Sequence, residues 1–408
     1  MLRYELKKIY MRTGNRIAAL LLIFLLGIVC WLGITGVEYI DENGNNHTGY
    51  AAAQKLRAVR QEWAGPLTEE KISKVIGENN RINATPEAQS EDVQENNRAF
   101  GWKQGIYDIR KLLVNAYGEF REYDYYIPDF LSPKDAGDFY PNRVRQLKKW
   151  LYTEAKDQFT EKEKVFLIRR YEELEIPLQY DYAEGWKQLL ECAPMLLMVM
   201  VLILSFPLAN IFPGEFQWKA DAVFYTSYHG RGKAVSAKIK AGLCVITGVY
   251  WMAVLLVTGI ILGVLGADGA GCPIQTGSAG WKSFYSLTYW QEYLLIMIGG
   301  YLGSVFILLF TMLLSAKTKS SVVGVIIPFV LIFLPTFLSG IGGAGVRKLL
   351  GLLPDQLLQM NRVVSYFNLY DIGGMICGAV GILLVIYAVL SVLLCPFIYR
   401  VYRKAEVN

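Results

Sequence analysis

The stretch YHGRGKAV, Tyr228 to Val235, carries the residue types of a phosphate-binding loop: glycines that let backbone N–H groups approach an oxyanion, and a lysine to neutralise it. Such a loop needs G-x-x-x-x-G-K followed by Ser or Thr, because that hydroxyl holds the magnesium ion. Here Gly230, Gly232 and Lys233 are followed by Ala234, and no apolar strand leads in. Nucleotide binding is not expected in this chain, so any ATP that drives it is hydrolysed by another polypeptide. The remaining reactive types are too scattered to act together. His47 falls in a long polar insertion and His229 in a different loop, and there is no H-E-x-x-H, G-x-S-x-G or C-x-x-C. Cys30, Cys244, Cys377 and Cys395 lie in apolar runs, where a thiol acts as a small apolar side chain. No catalytic group, metal site or resident cofactor is expected.

The elements that hold these residues are those of a membrane protein. The 408 residues are 53% hydrophobic and only 19% charged, with a mean hydropathy of +0.28, too apolar for an ordinary soluble enzyme. Six windows, taken as 17–36, 193–212, 241–267, 293–316, 322–341 and 372–399, are each about long enough to cross a bilayer and contain no Asp, Glu, Lys, Arg or His. The first is too long for the core of a cleavable signal. Lys and Arg cluster on one side of a six-span arrangement: Arg3, Lys7, Lys8, Arg12 and Arg16, then Lys219, Arg231, Lys233, Lys238 and Lys240, then Lys317 and Lys319, then Arg400, Arg403 and Lys404. The short loops of the other side hold only Lys282, Arg347, Lys348 and Arg362. The asymmetry predicts both termini in the cytoplasm. It also accounts for the net charge of +5 without nucleic acid, for which no aromatic-basic motif exists.

Residues 37–191 differ from the rest, with 28 of the 36 acidic residues and 22 of the 41 basic ones. They read as a mostly helical extracytoplasmic domain inserted between the first two spans. Thr68, Thr85, Ser132 and Thr160 each precede an acidic or proline-led first turn, the pattern of an N-cap. Ile106, Ile109 and Leu113, and Val144, Leu147 and Leu151, form helical apolar stripes. The fold class is therefore an all-α membrane protein with six transmembrane helices and both ends inside. Residues 1–36 form a cytoplasmic amphipathic segment plus the first span, and 192–408 carry spans two to six. Residues 344–370 are expected to lie in the outer interface, with Leu349, Leu352, Leu353, Leu357 and Leu358 on one side and Asp355, Gln356 and Arg362 on the other. Gly299, Gly300 and Gly303, then Gly374, Gly378 and Gly381, read as small residues for close helix packing. No charge falls within the six windows, which argues against an ion-coupled carrier.

The polar hairpin 213–240 then stands out. An acid, Glu215, follows the second span; the aromatic and hydroxyl cluster Phe224, Tyr225, Thr226, Ser227 comes next; and Arg231, Lys233 and Lys238 lead into the third span. This order resembles the membrane subunits of ABC-2-type ATP-binding cassette exporters, in which an acid, a Thr-Ser-Pro run with an arginine, and a lysine occur in the same order. Tyr228-His229 stands here where the family has its proline. The basic segment MLRYELKKIYMRTGNR, with Glu5 and Lys8, resembles the family's N-terminal interfacial segment, and LLPDQLL followed by YFNLYDIGG resembles the segment before its sixth span. The large first loop matches only a subset of Gram-positive members. The resemblance implies a permease subunit of a bacterial plasma-membrane exporter for a peptide, antibiotic or lipid-like cargo. Its implied partners are cytoplasmic ABC ATPase subunits, which bind ATP and magnesium, a second permease subunit, and membrane lipids. Glu215, Thr226, Ser227, Arg231 and Lys238 take the family's coupling positions. Arg231 and Lys233 would meet the ATPase, and Phe224 and Tyr225 would fill its groove. The alternative is an ABC-linked sensor, whose outer domain binds a ligand or an envelope partner while nothing crosses.

Overall fold

The structure, a computed structural model, describes residues 1–217, 230–338 and 344–403, with Arg231 and Ala344 described by backbone alone. It is mostly helical, and six helices are long and apolar enough to cross a membrane: Thr13–Thr35, Glu184–Ala209, Gly232–Leu265, Tyr289–Thr318, Ser321–Leu338 and Ala379–Arg403. A short helix, Leu2–Met11, precedes the first and turns away from it at Arg12, whose backbone is extended.

The fourth apolar helix is the axis of the bundle, with 61% of its most apolar window buried against 22% for the fifth and sixth. Its glycines explain the close approach. A Cβ at Gly300 would collide with Leu197 of the second apolar helix, and at Gly303 or Gly299 it would strike Leu357 or Met360. The expected packing role of these three is thus seen directly. Gly374 and Gly378 do not share it, because residues 369–378 form a β-hairpin of Leu369–Ile372 against Met375–Gly378. Gly373 and Gly374 turn it with φ of +61° and +90°, and Asp371 accepts the Gly374 N–H at 2.7 Å. The sixth apolar helix therefore starts at Ala379 rather than at 372. An apolar strand behind a glycine turn has the hydropathy of a span without its period.

Residues 344–370 also depart from a simple surface segment. Helices Asp355–Leu358 and Met360–Ser365 push Leu357, Leu358 and Met360 fully into the bundle, and Asp355 goes in with them. One Asp355 oxygen accepts from the Gln356 amide at 2.7 Å, no cation among the described residues pairs with it, and burial pushes its carboxyl up to about 6. A carboxyl raised in the fold above its unfolded value of about 3.9 destabilises increasingly as pH rises between those values, and fully above the upper one. Asp355→Asn is expected to raise stability by about 2 kcal/mol at pH 8, with the gain shrinking towards pH 4. Thermal midpoints of both forms across pH check this, and parallel profiles would refute it.

The inserted domain is built from helices Tyr50–Gln61, Glu69–Asn83, Val93–Lys103, Tyr107–Tyr117, Phe139–Tyr152 and Glu161–Glu172 with short strands between them. Thr68, Thr85, Ser132 and Thr160 all cap first turns, Ser132 and Thr160 as complete capping boxes, although the turn after Ser132 is 3₁₀. Ile106, Ile109, Leu113, Leu147 and Leu151 are buried as their spacing predicts. The core is not the domain's alone, however. Trp281, from the loop between the third and fourth apolar helices, packs on Phe139 at 5.1 Å, and Arg143 donates to the Trp281 and Ser283 carbonyls at 3.1 and 2.9 Å. Phe284 and Leu369 complete a second cluster around Phe120 and Trp150. Nor does the domain end at 191, because the second apolar helix begins at Glu184.

Candidate functional site

Four of the residues singled out in the sequence converge at the end of the bundle where helix Leu2–Met11 lies. The second apolar helix stops at Ala209, and the chain turns through a five-residue helix, Pro213–Gln217, that buries Glu215. Lys238 points down from the first turns of the third apolar helix. Its ammonium donates to Glu215 Oε1 at 2.8 Å, to Glu5 Oε2 at 3.0 Å and to the Ile211 carbonyl at 3.3 Å. Lys8 donates to the same Glu215 oxygen at 2.8 Å. Lys238 is 1% exposed and Glu215 5%, so the pair is shielded from water and screening salt. Burial alone would raise the Glu215 carboxyl, but Lys238 and Lys8 outweigh it and hold it below the ordinary glutamate value.

The turn after the second apolar helix is a hub. Arg12 donates to the Asn210 carbonyl at 3.3 Å, and its guanidinium lies so close over Gly214 that a Cβ there would collide with it. Ser321, which opens the fifth apolar helix, donates to Asn210 Oδ1 at 2.5 Å and accepts from Gln217 at 3.1 Å. The Phe212 ring lies 4.4 Å from that of Tyr402 near the end of the sixth. Residues 210–217 therefore touch the N-terminal helix and the third, fifth and sixth apolar helices. A displacement of this turn must be passed to all of them.

The other named positions are placed less fully. Lys233 is exposed, five residues before Lys238, and Arg231 lies in the turn Gly230–Ala234 that winds into the third helix. Phe224, Tyr225, Thr226 and Ser227 lie outside the described residues. In the sequence Glu5 and Lys8 belong to one feature and Glu215 and Lys238 to another, and the structure joins them. Arg12 reads in the sequence only as one more charge of the basic segment; the one local signal for its place is Gly214, a residue without a side chain where the guanidinium approaches the backbone.

A second ion network anchors the opposite end of the second apolar helix. Arg60 Nη1 lies 3.0 Å from Asp108 and 2.5 Å from Glu184, and Lys187 lies 2.6 Å from Asp108 and 3.2 Å from Glu184. All four side chains are buried or nearly so. Burial would raise Asp108, but Arg60 and Lys187 outweigh it and hold the carboxyl well below the usual range. A cavity of about 710 Å³ opens beside the network, between the inserted domain and the bundle, with Glu292 in its wall. The 26 residues of the helix between the two networks, at 1.5 Å each, make a rod of about 39 Å. Both networks hold elements in register. No protein-family model, no curated protein and no solved structure matches the chain.

Proposed function

We propose that the chain is the membrane subunit of an ABC-2-type exporter in a bacterial plasma membrane, moving a peptide, antibiotic or lipid-like cargo with energy from separate ATPase subunits. The observation that carries this reading is the convergence of Glu5, Lys8, Glu215 and Lys238 on one turn. These are the acid, the lysine and the N-terminal segment that the family resemblance picks out, and they meet around a hub bonded to four other helices. A partner that pushes on the turn at 210–217 has a braced handle. The buried Glu215 and Lys238 are its internal brace, while Lys233, exposed beside it, is free to meet the partner. On this reading that end of the bundle is cytoplasmic, the inserted domain is extracytoplasmic, and the chain works with a second permease subunit.

The sensor alternative draws on the rod itself. A helix fixed to the inserted domain at Glu184 and Lys187, and to the hub at Asn210, would carry a ligand-induced shift of that domain across the membrane. One set of experiments tests the coupling reading. Arg231→Glu combined with Lys233→Glu is expected to cut co-purification of the host's ATPase subunit at least tenfold while membrane insertion is unchanged. In a cysteine-free background, Glu172→Cys should label from outside and Thr318→Cys only after permeabilisation. Undiminished co-purification, or inverted labelling, would overturn the proposal. ATP turnover stimulated by a ligand that is not translocated would favour the sensor.

A further inference from the structure

A second cavity, of about 520 Å³, opens where the inserted domain meets the segment after the fifth apolar helix. One wall is aromatic. Phe120 and Trp150 stack with centroids 4.8 Å apart, and Phe367 lies 6.0 and 5.9 Å from them. The rest of the lining holds four cations, Arg121, Lys282, Arg347 and Lys348, against one acid, Glu163. That acid is already committed. Its Oε1 accepts from Lys348 at 2.6 Å and its Oε2 from the Thr160 backbone N–H at 2.8 Å.

Arg121, Lys282 and Arg347 make no ion pair among the described residues. Two of them lie over the aromatic wall, Arg121 at 4.9 Å from the Trp150 ring and Lys282 at 5.3 Å from that of Phe120. Burial and the nearby Arg121 both lower the Lys282 pKa, as befits an ammonium gathered with like charge and no counter-ion. Three cations without an ion pair, Arg121 and Arg347 exposed and Lys282 half-buried, line one concave site and form an anion cradle.

The position of the site identifies the anion's carrier. Arg347 and Lys348 ride on helix Ala344–Leu350, which follows the fifth apolar helix and leaves Val346 43% and Leu349 70% exposed. Apolar side chains turned outward at the end of a membrane-length helix belong at the bilayer surface. We propose that this cavity binds the anionic headgroup of an acidic phospholipid, with the phosphate held by Arg121, Lys282 and Arg347. The glycerol region lies against Phe120 and Phe367, and the acyl chains pass over Val346 and Leu349 into the membrane. A zwitterionic headgroup would bring an ammonium up to three cations, which sets the selectivity. The proposal does not depend on whether the chain exports or senses.

Native mass spectrometry of the full chain in detergent, titrated with phosphatidylglycerol or phosphatidylcholine, tests it. The expected result is one tightly retained phosphatidylglycerol, favoured at least tenfold over phosphatidylcholine. Lys282→Glu with Arg347→Glu should weaken that binding at least tenfold, Lys282→Gln with Arg347→Gln by less, and Lys74→Glu, on an exposed face of the inserted domain, not at all. The glutamine pair keeps the test open if charge reversal disturbs the fold. Equal binding of the two lipids, retention by both double variants, or full displacement by millimolar inorganic phosphate would overturn the proposal, the last by showing a site for a free anion.

Discussion

Lys238→Met is expected to lower the stability of the solubilised chain by about 3 kcal/mol, the range in which removing one member of a buried ion pair falls. The substitution keeps a side chain of similar length, so packing survives. What is lost is the charge that holds Glu215 and Glu5 together at 2.8 and 3.0 Å. Lys8 remains, but it is partly exposed and already bonded to Glu215. The N-terminal helix should loosen, and trypsin should cleave after Arg12, which now lies against Gly214 and the Asn210 carbonyl. Adding Glu215→Met removes the stranded carboxylate and should restore much of the thermal midpoint, because an apolar pair of equal volume often matches a buried ion pair. On the proposed exporter reading, ATPase coupling should stay lost, because the ionic hub is what transmits force there. A single variant with an unchanged midpoint and unchanged trypsin pattern would show that the cluster braces nothing.

How much of this was legible beforehand follows from which forces act locally. The six apolar helices were readable because hydropathy over a bilayer's length is a sum over neighbours in sequence, and the four N-caps because a cap bonds only two or three residues ahead. The positions of Glu5, Lys8, Glu215 and Lys238 were legible from their order, but their meeting was not, since 207 residues separate Lys8 from Glu215. Long-range partners also explain the errors. Glu184 and Lys187 look like the end of a soluble domain, yet continue an apolar helix because Arg60 and Asp108 neutralise them. Asp355 looks like the polar side of a surface helix, yet is carried inward by Leu357 and Leu358. The inserted domain looks self-contained in composition, while Trp281 and Phe284 come to its core from far downstream. The Arg121, Lys282 and Arg347 cradle draws on three separate segments, and no local pattern marks it.

Arg60→Met is expected to be the most damaging substitution in the inserted domain, costing on the order of 3–5 kcal/mol. Arg60 brings a single nitrogen to both Asp108 and Glu184, and its Nε also donates to the Gln104 carbonyl at 3.4 Å. Without it two buried carboxylates face one ammonium, Lys187. The Asp108 carboxyl, now held below its usual range, would rise above its unfolded value, so the deficit should shrink as pH falls from 8 towards 5. Because one nitrogen serves both acids, Arg60→Lys should keep more than half of the stability, whereas a site built on a bidentate fork would not tolerate lysine. Thermal midpoints of the two variants at pH 5 and 8 decide this; a pH-independent loss would mean that Arg60 acts through packing alone. Combining Arg60→Met with Lys238→Met extends the test along the rod. Sites braced to opposite ends of helix Glu184–Ala209 should add within about 0.5 kcal/mol. A larger departure from additivity would mean that helix Glu184–Ala209 passes strain from the inserted domain to the hub, which is the physical requirement of the sensor alternative.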